Sequence, residues 1–159
     1  TLRLEENHVT DAGATPLAGA LQHNRTLKEL SLGSNRVTDE GAKALAKALR
    51  RSSALSGLNI ARNRIADAGA NAFAAALRYN HGITKLILGY CNIGDEGAKA
   101  LSGVLSRNGA LKELDLSYNI IGSTGATTIA EALQQNASLT ELSLGWNGVG
   151  SRGAEALAE

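Results

Sequence analysis

The stretch "LKELSLGSNRVTDEGAKALAKAL", Leu27 to Leu49, reads as a short strand followed at once by a turn and a helix, yet it is too short to be a domain. Slid along itself at an offset of 28 residues, the chain matches throughout. Full units begin at Leu27, Leu55, Ile83, Leu111 and Leu139, the last one truncated. A partial unit, residues 1–26, precedes them, with Leu2 and Leu4 in register with Leu30 and Leu32. Residues 1–159 are therefore expected to form one repeat domain.

Each unit opens with L-x-x-L-x-L, whose last two leucines alternate as one face of a short strand does. A turn follows, with Asn7, Asn35, Asn63, Cys91, Asn119 and Asn147 in one column and a β-branched residue two places on. A short amide supplies both an acceptor and donors to backbone groups stranded by a tight bend, so this column predicts a structural ladder running from repeat to repeat. Asp11, Asp39, Asp67, Asp95, Ser123 and Ser151 come next, residue types suited to a helix N-cap, each followed two residues later by Gly-Ala. The glycine permits close approach, and the alanine leaves room for packing. The Ala-rich remainder, with apolar residues at i and i+4 such as Leu45 and Leu49, predicts a helix of about three turns. Pro16 is expected to distort the first of these helices. One unit buries too few apolar side chains to offset the entropy of ordering it. Stacking shares each apolar face with the next unit, which makes the fold α/β: parallel strands joined through helices in a curved solenoid with one continuous core.

Composition sets the outer bounds. The chain has 159 residues, a formal net charge of +1, a single Cys and no Met. A lone cysteine excludes an internal disulfide framework, and no apolar run approaches the length of a membrane span. Starting and stopping inside repeats, without an initiator Met, the sequence is expected to be a fragment of a larger protein. Ends without polar caps are expected to fray, or to let the free fragment self-associate through them.

The pattern L-x-x-L-x-L-x-x-(N/C)-x-(I/V)-x-(D/S)-x-G-A-x-x-L-A-x-A-L resembles the leucine-rich repeats of the ribonuclease-inhibitor subtype, and most of all those of NOD-like intracellular immune receptors. The resemblance covers essentially the whole chain. It implies a leucine-rich-repeat horseshoe with strands on the concave face and helices on the convex face, a cytoplasmic address, and a sensing or autoinhibitory role. The Ran GTPase-activating protein has a similar repeat subtype, but its functional residues map onto no position here and its acidic tail has no counterpart. A purely structural repeat scaffold is the third reading.

No catalytic, cofactor-binding or metal constellation assembles from the sequence. His8, His23 and His81 occupy different repeat columns and read as exposed loop residues. "GDEGAK" at Gly94 to Lys99 lacks phosphate-loop spacing, and its second glycine recurs in every repeat. Cys91 reads as a buried structural thiol. The sequons at Asn24 and Asn136 fall in a column that favours Asn anyway, as Asn80 and Asn108 show. Basic residues on helix exteriors and ends, Lys43, Lys47, Arg50, Arg51, Arg78, Lys99 and Arg107, lack aromatic interleaving and read as a solvated face, with neither nucleic acid nor membrane as partner.

Invariant columns build the core, so a partner is read from the variable ones. The column before the ladder holds Glu6, Ser34, Arg62, Tyr90, Tyr118 and Trp146, placing three aromatics in consecutive repeats behind an arginine. At strand spacing these form a row along the rim of the concave face. Tyr, Trp and Arg are hot-spot types, yet the rings could equally stack on one another and only shield the turn. With Lys85, Glu113, Asp115 and Glu141 on the strand face, the row is the expected contact surface for another protein.

Overall fold

A computed structural model describes all of residues 1–159. Strand and helix alternate six times: β1 (Leu2–Arg3), α1 (Asp11–Leu21), β2 (Glu29–Ser31), α2 (Asp39–Leu49), β3 (Gly57–Asn59), α3 (Asp67–Leu77), β4 (Lys85–Ile87), α4 (Asp95–Leu105), β5 (Glu113–Asp115), α5 (Ser123–Leu133), β6 (Glu141–Ser143) and α6 (Gly150–Ala158). The strands form one open parallel sheet in chain order. Leu30 pairs with Leu58, Leu58 with Leu86, and Leu86 with Leu114, so the sequence period is the register of the sheet. Each crossover is a helix, as parallel neighbours require.

One face of every strand feeds a single core. Leu30, Leu58, Leu86 and Leu114 from the sheet meet Leu45, Phe73, Leu101 and Ile129 from the helices, all at most 2% exposed. Phe73 is the largest wholly buried side chain and takes the place of leucine in its column. Strands stack about 4.8 Å apart whereas helices pack about 8–10 Å apart, so the stack bends toward the sheet and makes it concave. The fully buried Ala42, Ala70, Ala98 and Ala126 let neighbouring helices approach closely.

Two expectations need correcting. Asp11, Asp39, Asp67 and Asp95 are not N-caps of their own helices but their first residues, and the cap positions fall one place earlier, at Thr10, Thr38, Ala66 and Gly94. Their carboxylates instead cap the following repeat. Asp39 Oδ1 accepts from Ala66 N–H at 2.9 Å and Gly69 N–H at 2.7 Å, and Asp67 and Asp95 do the same one and two repeats later. This explains the glycine. A Cβ at Gly69 would stand 2.8 Å from Asp39 Oδ1 and closer still to Ile65 Cγ2. Pro16, for its part, leaves α1 running over the same eleven residues as its siblings, with its ring exposed.

Candidate functional site

The sheet presents two rows of outward side chains and, three residues beyond each strand, a rim. Lys85, Glu113 and Glu141 share the first row through strand register. Lys85 Nζ donates to Glu113 Oε1 at 2.7 Å. That hydrogen bond, with the charges of Glu113, Glu141 and Glu29, outweighs burial and raises the lysine's pKa. Asp115 stands in the second row between Ile87 and Ser143, where its Oδ1 accepts from Ser117 N–H at 2.8 Å.

The rim column has one unusual backbone property. Glu6, Ser34, Arg62, Tyr90, Tyr118 and Trp146 all have φ between 53° and 59°, the left-handed region. An L-residue pays about 1 kcal/mol there, and Gly or Asn would be the undemanding choice. Their N–H groups still donate across repeats, Arg62 to Gly89 O, Tyr90 to Ser117 O and Tyr118 to Gly145 O, each at 2.8 Å. The column is thereby held at strand-like spacing, and its side chains form one continuous stack. Arg62 lies 5.4 Å from the Tyr90 ring centroid, Tyr90 is tilted against Tyr118 at 5.9 Å, and Tyr118 stacks on Trp146 at 5.2 Å and 11°. The stack remains open to solvent, with Tyr90 56%, Tyr118 46% and Trp146 76% exposed.

Ile120, 68% exposed two residues past Tyr118 with its Cδ1 toward Gly94, escaped sequence reasoning. The signal was available, because its column otherwise holds His8, Arg36, Arg64, Asn92 and Gly148.

Beneath the rim, the amides tie repeats together. Asn35 Oδ1 accepts from Asn7 N–H at 3.1 Å and Val9 N–H at 2.8 Å, while its Nδ2 donates to Leu4 O and Leu32 O. Asn63, Asn119 and Asn147 repeat the arrangement, each reaching a carbonyl of the preceding unit. Cys91 is wholly buried and offers its S–H to Ile60 O at 3.5 Å or Gly89 O at 3.6 Å. Burial pushes this thiol up to about 11. A second amide ladder, unforeseen as such, runs along the opposite edge: Asn80, Asn108 and Asn136 donate to Leu49 O, Leu77 O and Leu105 O at the ends of the preceding helices. These bonds account for the preference for Asn in that column. The three histidines lie exposed in separate columns.

Comparison with known proteins supplies the remaining findings. The family model described as Leucine Rich repeat matches residues 1–18, 23–46, 55–74, 79–102, 110–130 and 135–158. No curated protein matches the chain in sequence. Among solved structures, leiomodin-1 actin-binding site 2 superposes with a TM-score of 0.76 at 24% identity, covering 89% of this chain and 85% of its own. A tropomodulin C-terminal domain from Caenorhabditis elegans superposes with a TM-score of 0.75 at 14% identity, covering 91% and 89%. At those identities the likeness is one of fold.

Proposed function

This chain belongs to the leucine-rich repeat family, and from that premise we propose that it is a non-catalytic protein-interaction module whose partner docks on the concave sheet and the rim row Arg62–Tyr90–Tyr118–Trp146. The observation that carries the reading is the backbone beneath those side chains. Bulky aromatics occupy positions whose left-handed conformation favours Gly or Asn, and they do so with about half of their surface or more in solvent. A ring present only to shield the turn would be covered by its neighbours. Tyr90 has a neighbour on each side, Arg62 and Tyr118, and is still 56% exposed.

Glu113, Glu141 and Asp115 beside the row select a partner that sets Lys or Arg next to an apolar contact, so association slows as salt rises. On the repeat pattern we place the module in the cytoplasm, as the sensing or autoinhibitory segment of a NOD-like receptor. Leiomodin-1 actin-binding site 2 shares the fold, which makes actin a defined partner to test alongside unidentified ones.

The experiment is affinity capture from cytosolic lysate, with purified actin in a parallel arm, comparing the parent with a Tyr90→Ala/Tyr118→Ala/Trp146→Ala variant. Loss of at least about 2 kcal/mol of binding at the strongest of the three sites, with melting unchanged, supports the rim as the contact surface. A variant that melts much earlier yet binds its partner unchanged makes the row a structural shield and moves the interaction elsewhere.

A further inference from the structure

The loops that leave the helices and lead into the next strands carry Arg25, Arg50, Arg51, Arg78 and Arg107, and across all five loops there is no Asp or Glu. All five arginines are exposed, and none is in an ion pair. Asp11, Asp39, Asp67 and Asp95 lie at the other end of the helices, where they cap helix N-termini; near the edge itself the nearest acids are Glu131 in the last turn of α5 and the glutamates that open β2, β5 and β6. Helix dipoles favour this polarity at each end, but a favourable dipole does not require that every loop be free of acid. The result is a positive edge on a molecule of net charge +1.

This edge has relief as well as charge. Between the ends of α3 and α4 lies a hollow of about 260 Å³, with Leu77 and Val104 as apolar lining and Arg78, Tyr79, His81 and Arg107 around them. Gly103 keeps it open, for a Cβ there would meet nothing within 4 Å. Tyr79 is 63% exposed, and the Arg50 guanidinium covers one face of its ring at 4.7 Å. Arg107 also borders a second hollow, toward Asn136.

We propose that this edge is a second docking surface, separate from the rim row, for an acidic protein segment that places one apolar side chain in the hollow between Arg78 and Arg107 and its flanking carboxylates on those two guanidiniums. Arginine's planar fork suits bidentate recognition of a carboxylate. The choice of a protein segment over nucleic acid follows from the overall charge. A sequence pI near 7.9 lies below the basic range of nucleic-acid-binding domains, and the acid at the opposite end of the helices repels an extended polyanion.

Fluorescence anisotropy of a labelled Asp/Glu-rich peptide with a single central Leu tests the proposal, using the whole chain and a titration of NaCl. The expected result is saturable binding that weakens with salt, falls at least about tenfold in Arg78→Glu/Arg107→Glu, and is little changed in Arg36→Glu/Arg64→Glu, which alters charge equally in the turns after the strands. Gly103→Phe, which fills the hollow, should weaken the Leu peptide more than the same peptide with Gly in place of Leu. Circular dichroism melts confirm that each variant is folded. Absence of binding, equal loss in both charge-reversal pairs, or tighter binding of a single-stranded oligonucleotide of equal charge through the same arginines would each overturn the proposal.

Discussion

The exchange of asparagine for cysteine at position 91 isolates what one ladder amide contributes. Val9, Val37, Ile93 and Ile121 each donate an N–H to the amide oxygen of the next repeat. Ile65 faces Cys91 instead, whose sulfur is a poor acceptor already committed as a donor. Cys91→Asn should therefore stabilise the fold by about 1 kcal/mol, read as a rise in the denaturant midpoint. Asn63→Ala should cost about 1–3 kcal/mol by the same measurement, because it strands the buried Val37 N–H and leaves Leu32 O and Ile60 O with only their bonds from Asn35 Nδ2 and Cys91 Sγ. Asn59→Ala, which removes one bond to Ala61 N–H on the open strand face, should cost clearly less. The thiol also gives stability a pH dependence. Its pKa rises from 9.0 to about 11 on burial, so the unfolded chain ionises first. The thiol's contribution is complete below pH 9 and declines as pH rises through 9 to 11, and Cys91→Ser should remove that part of the alkaline loss of stability.

The four helices α2 to α5 are each started by the repeat before. Because Asp39 caps α3 and Asp67 caps α4, a lost carboxylate weakens the helix one unit downstream of the substitution. Asp39→Ala should cost about 1 kcal/mol, and hydrogen exchange should show the deprotection at Ala66, the cap position of α3, and at Gly69 in its first turn, leaving the start of α2 unaffected. A change confined to residues near position 39 would contradict this coupling. Gly69→Ala acts on the same joint by crowding Asp39 and Ile65, and should cost about 1–3 kcal/mol although alanine is the better helix former. At Asp11, burial opposes ionisation, yet bonds from Thr38 Oγ1, Thr38 N–H and Gly41 N–H prevail and hold its pKa below the ordinary value of 3.8. The cap on α2 is then fully present above that value and is lost as the pH falls further.

The molecule is a one-dimensional stack in which strands and helices each pack against their nearest neighbours. Stability follows burial along the stack. Leu58, Leu86 and Leu114 are sealed, whereas Leu2, Leu4, Leu142 and Leu144 are only partly covered. Amide exchange should accordingly be slowest in β3, β4 and β5 and faster in β1 and β6, with uniform protection as the contrary result. The rim aromatics lie outside this core, so replacing them should move binding and leave the central protection intact.

The repeat made the fold legible, since a fixed period with alternating strand and helix patterns leaves parallel stacking as the arrangement that buries every leucine column. The same register was enough to line up Tyr90, Tyr118 and Trp146 and to group Lys85, Glu113 and Glu141, because equal positions in equal units fall side by side. Relations between unequal positions stayed hidden. That Asp39 serves the helix of the following unit, that Arg50 lies across Tyr79, and that the rim backbone is left-handed all depend on how one repeat is offset and bent against the next. Periodicity fixes which residues are neighbours along a column. Only three-dimensional packing decides which atoms meet across columns, since that depends on distances and backbone angles that a one-letter pattern does not contain.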